Sequence, residues 1–169
     1  MGGTETEPHY TLRTHRTGDM GWITYRHGVL YNAEHGWGER FEALVAEVTV
    51  DFIKNLDTSC ERCWIADREG EFLGCVMLVK DRSADQNTAK IRLLLVEPSA
   101  RGLGLGRVLV KQCVQFAREA GYSRVVLWTQ STLTAARRIY KSEGFELVKA
   151  EEHDTFGIKM LGELWELAF

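Results

Sequence analysis

The sequence predicts one α/β (α+β) domain, in which helices flank a mixed central β-sheet on both faces. The chain has 169 residues, the size of one ordinary domain. A β-α-β succession in its middle implies a parallel pair of strands joined by a right-handed crossover. A hairpin precedes that unit, so the sheet is mixed. We expect residues 1–8 to be a flexible tail and residues 9–169 to form the domain.

The predicted elements follow the order β-α-α-β-β-β-α-β-α-β-β. Helices are predicted where apolar residues recur every three or four positions. Strands are predicted where apolar or β-branched residues run or alternate between turn residues. In chain order, the elements are a strand at 9–16, a helix at 22–34 broken near Gly28, a helix at 41–53, strands at 63–67, 72–80 and 90–97, a helix at 105–120, a strand at 124–129, a helix at 134–143, and strands at 145–149 and 164–169.

Turn and breaker residues mark the boundaries of these elements. Gly18-Asp19 is a turn with an N-cap candidate for the first helix, and Glu69-Gly70 joins the two hairpin strands. Pro98 ends the long apolar strand before the third helix. Either Thr132 or Thr134 is the predicted N-cap of the last helix.

Composition restricts the compartment and the classes of ligand. No apolar run approaches the roughly 18–20 residues that span a bilayer, so no membrane partner is expected. The chain starts without a hydrophobic leader, and its four cysteines are predicted to be reduced, which indicates a cytoplasmic or nuclear location. Cys60 and Cys63 form a lone C-x-x-C pair without a second pair of ligands, so no metal is predicted.

The net charge of −3 hides an uneven distribution. Residues 101–141 hold eight basic residues and one acid, a balance of +7, while the rest of the chain carries −10. The mildly acidic total argues against a nucleic-acid partner. The basic stretch indicates either a smaller anionic partner or an ordinary solvated helix face.

The most informative segment is the glycine-rich loop Arg101-Gly102-Leu103-Gly104-Leu105-Gly106, which lies between a strand and a helix. Glycines permit positive φ and let a ligand approach the main chain closely. The helix N-terminus adds unpaired N–H groups and the positive end of the helix dipole. Together these features predict an anion site suited to a pyrophosphate. The alternative is a turn that only connects the strand to the helix.

Two nucleotide-binding motifs fit this loop poorly. A P-loop requires Lys followed by Ser or Thr after its last glycine, whereas Arg107-Val108 stands here. A Rossmann fingerprint requires G-x-G-x-x-G and an acid at the end of the next strand. This loop reads G-x-G-x-G, and the next strand ends at Thr129-Gln130. A nucleotide-binding α/β protein is therefore disfavoured.

The segment from Val96 to Gly106 resembles the acyl-CoA loop of the GNAT superfamily of N-acetyltransferases, whose signature Q/R-x-x-G-x-G/A is matched from Arg101 onwards. Downstream, the segment from Ala136 to Phe145 resembles the family's A-x-x-x-Y-x-x-x-G-F motif, at the family's spacing. The resemblance covers about residues 10–169. It is especially close to GNAT domains that also occur fused behind MarR-type regulators, and this chain looks like a stand-alone version.

The resemblance implies how acetyl-CoA is held. The strand at 93–96 would pair with the pantetheine arm through its backbone, and the N–H near Val96 would polarise the thioester carbonyl. The glycine loop would hold the pyrophosphate, and the excess of basic residues suits the anionic CoA. The implied cofactor-binding residues are Leu94, Leu95, Val96, Arg101, Gly102, Leu103, Gly104, Leu105, Gly106, Arg107, Thr132, Ala136 and Tyr140.

Tyr140 is implied as the catalytic acid by its place in the second motif. A phenol with a pKa of about 10 can protonate the leaving thiolate as the C–S bond breaks. The alternative is a core tyrosine. The sequence departs from the family at Leu133, where an Asn that contacts the pantetheine is common. Ser131, Thr132 or Thr134 are the candidate substitutes for that contact.

No motif fixes the base or the acceptor-binding residues. An alkylammonium has a pKa of about 10.4, so a base or a water relay must take its proton near neutral pH. The candidate bases are Glu97, at a strand end, and His27, Tyr31, Glu34 and His35 in the first helical region, and Glu97 and Glu34 are the predicted catalytic residues among them. If the first helix is continuous, several polar and aromatic side chains share one of its faces, either as acceptor contacts or as an ordinary exposed face. The acceptor candidates are His27, Tyr31, Glu34 and His35 in that region, and His153 in the last loop.

The sequence therefore predicts an N-acetyltransferase that moves an acetyl group from acetyl-CoA to a primary amine by direct attack in a ternary complex. The alternative is a non-catalytic acyl-CoA-binding regulatory module of the same fold. The acceptor is expected to be a small molecule or a protein amine, and a cationic one if the acidic remainder lines the acceptor side. A homodimer is the assembly suggested by related domains.

Overall fold

The computed structural model describes residues 9–85 and 87–169, so the tail predicted for residues 1–8 lies outside the described residues. Strands and helices follow one another as the sequence predicts. Their bounds are β1 Thr11–Thr14, α1 Asp19–His35, α2 Gly38–Asn55, β2 Arg62–Arg68, β3 Glu71–Lys80, β4 Thr88–Val96, α3 Leu105–Glu119, β5 Arg124–Gln130, α4 Thr134–Ser142, β6 Glu146–His153 and β7 Met160–Ala168, with a 3₁₀ turn at Pro98–Ala100.

The strands form one mixed sheet in the order β1-β2-β3-β4-β5-β7-β6. Neighbouring strands are antiparallel except β4 and β5, which are parallel. A parallel pair requires a long crossover connection, which α3 provides. The predicted fold class is confirmed, because helices cover a mixed sheet in the predicted order of elements.

Each face of the sheet has its own apolar core. On one face, Ile23 of α1 and Phe52 of α2 belong to a buried cluster with residues of β2, β3 and β4. On the other face, Leu109 of α3 and Tyr140 of α4 belong to a second cluster with residues of β2 to β5 and β7. The alternation of side chains along β4 therefore decides which helix pair each of its residues faces.

The predicted break of the first helix near Gly28 is wrong, because α1 is continuous from Asp19 to His35. A Cβ atom added at Gly28 would stand 3.1 Å from Oε1 of Glu42 on α2. The glycine thus lets two helices approach each other closely, which is a use of its missing side chain that helix propensity does not reveal.

Two other boundaries differ from prediction. Leu133 occupies the N-cap position of α4 and no side chain caps the helix, so the cap expected at Thr132 or Thr134 is wrong. The last two strands are longer than predicted, because β6 pairs with β7 as far as His153 opposite Met160. Nearly every residue of β6 is exposed, so this edge strand lacks the apolar alternation that predicts a strand.

The parallel ladder between β4 and β5 is short. It ends where Ile91 stands opposite Leu127, although β4 continues to Val96 and β5 to Gln130. Beyond this point β5 remains paired with β7, and β4 remains paired with β3 through a bulge near Leu93, whose φ is 53°. A gap therefore opens between two strands that are neighbours in the sheet.

Residues 9–85 and 87–169 lack both a membrane-spanning helix and a cluster of metal-ligating side chains. None of their helices is both long and apolar enough to cross a membrane. They also contain no group of three or more His, Cys, Asp or Glu side chains placed to ligate a metal ion. The four cysteines are free thiols.

Gly74 of β3 provides a test of the packing beside this gap. An added Cβ atom would stand 2.5 Å from the main-chain oxygen of Leu95, which a backbone cannot relieve cheaply. We expect Gly74→Ala to lower the free energy of unfolding, measured with urea, by about 1–3 kcal/mol. The control is Gly21→Ala in α1, where an added Cβ meets nothing within 4 Å and should be neutral or stabilising. Equal effects of the two substitutions would contradict this account.

Candidate active site

The gap between β4 and β5 leads into a cavity of about 320 Å³. Its walls come from α1, α2, the splayed ends of β4 and β5, α4 and the loop after β6. The lining residues are His27, Tyr31, Trp37, Phe41, Leu44, Val45, Val48, Lys90, Ile91, Arg92, Leu93, Leu94, Trp128, Thr129, Gln130, Leu133, Ala136, Tyr140 and Phe156. The cavity thus joins the two faces of the sheet through the gap.

The glycine-rich loop lies between the end of β4 and the start of α3. Gly102 and Gly104 have φ angles of 80° and 73°, which side chains disfavour, and an added Cβ at either position would meet nothing within 4 Å. Gly106 serves a different purpose, because its Cβ would stand 2.8 Å from Cδ1 of Ile139 on α4. Two of the glycines therefore shape the loop, and the third packs α3 against α4.

The first turn of α3 leaves main-chain donors without acceptors in the helix. The first helical hydrogen bond runs from the N–H of Val108 to the carbonyl of Gly104, at 3.2 Å. The N–H groups of Leu105, Gly106 and Arg107 precede it and have no acceptor within the helix. No acidic side chain lies in this turn. The arrangement is an anion site of the kind that helix N-termini provide.

Main-chain groups of β4 also face the gap. The N–H of Glu97 donates to the carbonyl of Leu73 on β3 at 2.8 Å. Successive N–H groups of a strand point to opposite edges, so the N–H of Val96 is directed away from β3 and toward the gap. The carbonyl of Leu94 shares that edge, where it accepts a hydrogen bond from the hydroxyl of Tyr31 at 3.3 Å. The N–H of Val96 is thus available as the donor that the family resemblance implies.

Tyr140 lies on α4 with its ring buried beside Phe145 and Trp165, and it lines the cavity. Its hydroxyl makes no hydrogen bond within the described ranges. Burial raises the pKa of this phenol, and the nearby Tyr31 and Cys113 raise it further. The group therefore stays protonated at neutral pH and is able to donate a proton.

A glycine loop between a strand and a helix N-terminus is the arrangement that the resemblance implied, whereas the gap in the parallel strand pair was not predicted from the sequence. Residues 25–145 match the model of the Acetyltransferase (GNAT) family, which is well over half of the chain. The chain belongs to the GNAT family. The expected assignment is thereby confirmed at the level of family and fold.

Relatives agree with this assignment. An uncharacterized N-acetyltransferase of Schizosaccharomyces pombe is 39% identical over 88 residues, covering 52% of this chain and 53% of that protein. N-acetyltransferase 8B of Homo sapiens is 31% identical over 117 residues, covering 68% of this chain and 52% of that protein. The chain thus spans about half the length of these relatives. The yncA structure from Salmonella typhimurium, with its cofactor acetyl-CoA, has a TM-score of 0.72 at 23% identity and covers 95% of this chain and 94% of its own.

The predicted CoA-binding residues occupy three settings in this GNAT fold. Leu94, Ala136 and Tyr140 line the cavity. The side chains of Leu95 and Leu105 are buried in the two cores, so only their main-chain groups are available. The loop residues Arg101, Gly102, Leu103, Gly104 and Arg107 are exposed, Gly106 is buried against α4, and the half-buried Val96 packs against the α3 core. Thr132 is also exposed, but it lines a separate cleft rather than the cavity.

Neither predicted base lies among the residues that line the cavity. Both oxygens of Glu97 accept hydrogen bonds from Arg26, at 2.6 and 2.8 Å, and its side chain borders a different cleft beside β1 and α1. Glu34 accepts a hydrogen bond of 2.6 Å from Arg101 of the glycine loop. The structure therefore places both carboxylates in ion pairs with arginine.

His27 is the predicted acceptor residue that the structure places deepest. It is 2% exposed, lines the cavity and stacks on Tyr31. Its Nδ1 is 2.8 Å from the carbonyl of Ile23, which only accepts, so Nδ1 carries the proton. Nε2 is buried without a partner within the described ranges. Burial lowers the pKa of His27 to about 4, so the ring is neutral with a free lone pair.

The other acceptor candidates separate into two groups. Tyr31 lines the cavity, and burial raises its pKa. His35 stacks on Trp37 and lines the separate cleft. His153 does not line the cavity, and its ring nitrogens are engaged 2.7 Å from Oε1 of the cavity residue Gln130 and 3.1 Å from Oγ1 of Thr155. From this set, the structure places only His27 and Tyr31 in the cavity lining.

Half of the eight basic residues in the stretch at 101–141 are neutralised within the protein. Four arginines of the stretch form ion pairs with carboxylates, namely Arg101 with Glu34, Arg107 with Glu143, Arg124 with Asp85 and Glu166, and Arg137 with Glu163. Lys111, Arg138 and Lys141 are exposed and form no ion pair within the described ranges. The stretch is therefore not a uniformly free cationic surface.

Sequence reasoning missed the charged part of the cavity. Lys90 and Arg92 line it, whereas no Asp or Glu lines it among residues 9–85 and 87–169. The sequence predicts a cationic acceptor only if the acidic residues outside 101–141 line the acceptor cavity. None of the described residues in the cavity wall is acidic, so this condition is not met. Phe41 and Phe156 were missed as well, because aromatic residues in a helix and in a loop give no signal that distinguishes a cavity wall from a core.

Burial of neutral His27 predicts a specific loss of stability in acid. Unfolded histidine, with a pKa of about 6.5, binds a proton as the pH falls, whereas folded His27 does so only near its pKa of about 4. The free energy of unfolding should therefore fall by about 2 kcal/mol more between pH 7 and pH 5 in the wild type than in His27→Gln. Urea unfolding at both pH values measures the difference. Equal losses would contradict the buried neutral state.

Proposed function

We propose that the chain is an acetyl-CoA-dependent N-acetyltransferase that acetylates a primary amine by direct attack in a ternary complex. The observation that carries the proposal is a cavity that lies at the β4–β5 gap and is lined by Tyr140, together with the anion site of α3 just beyond the end of β4, where Gly106 packs beside Val96. Membership of the GNAT family supports it, and so does the acetyl-CoA in the yncA structure.

The residues present fit acetyl-CoA, which supplies the acetyl group as a thioester. The N–H groups at the first turn of α3 would bind the pyrophosphate, and Gly102 and Gly104 let it approach the main chain. The edge of β4 that faces the gap would pair with the pantetheine arm. The exposed Lys111, Arg138 and Lys141 are the cations free to meet phosphate groups.

The proposed chemistry replaces the C–S bond of the thioester with a C–N bond and transfers the protons that this exchange requires. The amine nitrogen forms a bond to the carbonyl carbon, and the N–H of Val96 stabilises the negative charge that develops on the oxygen. The C–S bond then breaks, and the Tyr140 hydroxyl gives its proton to the sulfur. The neutral amine that attacks loses one N–H proton to solvent, and the Tyr140 phenolate takes one proton back from solvent, so the products are an amide and a free thiol and the tyrosine is restored.

His27 is the proposed partner of the attacking amine. Its pKa of about 4 makes it too weak a base to deprotonate an alkylammonium directly. Its unpaired Nε2 is instead able to accept a hydrogen bond from the N–H of a neutral amine. We propose that the proton leaves through water, while Glu97 and Glu34 hold Arg26 and Arg101 in place.

The identity of the acceptor, a homodimer, a cytoplasmic location and the lack of nucleic-acid, membrane and metal partners stay predictions from the sequence.

Tyr140→Phe tests the proposed function. The hydroxyl makes no hydrogen bond in the described ranges, so its removal should not affect folding, while the proton donor is lost. We expect kcat to fall by about 10- to 1000-fold with acetyl-CoA affinity nearly unchanged. Thiol release against a panel of amines gives kcat, and calorimetry gives the affinity.

The buried Tyr122 supplies a matched control, because its hydroxyl bonds to the carbonyl of Cys60 and does not line the cavity. Tyr122→Phe should lower stability and leave kcat unchanged. An unchanged kcat in Tyr140→Phe would remove this residue from the mechanism. Binding of acetyl-CoA without thiol release for any amine would instead favour the regulatory module, and absence of binding would reject both functions.

A further inference from the structure

Two basic side chains project from β4 to the same side of the sheet. Ala89 and Ile91 belong to the core under α3, so the alternating Lys90 and Arg92 face the side that α1 and α2 cover. Both are half-buried and line the cavity. The ladder with β5 ends at Ile91, which places these cations where the gap opens.

Neither cation has a counter-charge in contact. Within residues 9–85 and 87–169, no carboxylate lies within 4 Å of Lys90 or Arg92, and neither side chain forms a hydrogen bond. Burial lowers the pKa of both groups, and the charge of Arg92 lowers that of Lys90 further. The opposing influence of Asp51 and Asp81 acts from beyond ion-pair distance. The pair is therefore partly desolvated and mutually repulsive.

Such a pair gains from an anion more than an exposed pair does. A charge that has lost part of its hydration is stabilised strongly only by an opposite charge with good hydrogen bonds. A guanidinium offers two parallel N–H groups that match a carboxylate, and the lysine adds a further donor. An anion that contacts both would also relieve the repulsion between them.

Most of the remaining wall on this side is aromatic or aliphatic, and the polar side chains of His27 and Gln130 complete it. Trp37, Phe41 and Phe156 pack together in a buried aromatic cluster at the cavity. Trp128, whose neighbour Leu127 faces α3, lies on the same side of the sheet as Arg92 and is 44% exposed. An acceptor here meets aromatic rings, two cations and the free Nε2 of His27, but no acidic side chain.

The geometry points to an acceptor that is a small amine carrying an anionic group, a carboxylate in the first instance, next to an apolar side chain. This inference rests on the proposed function and specifies its substrate class. Arg92 and Lys90 hold the anionic group, the aromatic rings contact the apolar part, and the amine reaches His27. Polyamines and lysine-like acceptors are disfavoured, because their extra positive charge would face two cations.

The test compares acceptors that differ only in the anionic group. With the full chain and saturating acetyl-CoA, thiol release is measured for phenylalanine against 2-phenylethylamine and for leucine against 3-methylbutylamine. We expect kcat/KM to be at least about 10-fold higher for the amino acid. A third arm, 1-amino-2-phenylethylphosphonate, shows whether the site prefers a carboxylate or a phosphonate.

Substitutions of Arg92 test whether this cation causes the preference for the anionic acceptor. Arg92→Gln should lower kcat/KM for the amino acids by about 10- to 100-fold, and Arg92→Lys should retain part of it. Both should reduce the ratio of kcat/KM between each amino acid and its matched amine, because the amine has no carboxylate contact to lose. Lys54→Gln, on the exposed end of α2, removes the same charge away from the cavity and serves as the control.

A binding measurement separates this inference from the proposed function. 3-Phenylpropionate has the carboxylate but no amine, so it should raise the melting temperature of the wild type and not that of Arg92→Gln, whether or not any amine is acetylated. Thiol release without preference for the anionic member of either pair, or a 3-phenylpropionate effect that is absent or survives Arg92→Gln, would overturn the inference. Loss of thiol release alone would overturn only the acetyltransferase.

Discussion

The short ladder between β4 and β5 is the constraint on which the site depends. Beyond the last pair, Ile91 and Leu127, β4 stays bonded to β3 and β5 stays bonded to β7. The opening therefore costs only the hydrogen bonds between β4 and β5. The main-chain groups freed along β4 then face a cavity instead of a neighbouring strand. The bulge near Leu93 turns β4 at this point, and Tyr31 holds the carbonyl of Leu94. The same break thus creates the opening and the polar edge that a ligand requires.

The two ends of the site differ in how their cations are balanced. At the glycine loop, Arg101 and Arg107 are paired with carboxylates while remaining about half exposed. Exposed ion pairs contribute little free energy, so a phosphate group is able to take over such an arginine at small cost. At the opposite end, Lys90 and Arg92 lack these internal partners. A ligand that binds there does not have to displace a carboxylate of the protein from Lys90 or Arg92. Its own anionic group is the first counter-charge in contact with these two cations.

Local features of the site were predictable and distant pairings were not. The glycine loop is continuous in sequence, and its spacing alone indicates a strand, a turn and a helix N-terminus. Glu97 looked available as a base because its partner, Arg26, lies 71 residues away. Lys90 and Arg92 alternate with core residues as any solvated strand face does, so only the end of the ladder beside them distinguishes a cavity from a surface. Gly28 likewise reads as a helix breaker until α2 is packed against it.

Net charge is a poor guide to the acceptor because electrostatic energy depends on distance and local dielectric. The chain carries an excess of acids, yet the exposed edge strand β6 holds several of them, including Glu146, Glu151 and Glu152, and these are solvated. Charges separated by more than about 10 Å of salt solution hardly interact. Two half-buried cations at the cavity therefore outweigh many distant carboxylates. The charged side chains nearest to the proposed acceptor are thus positive although the protein as a whole is negative.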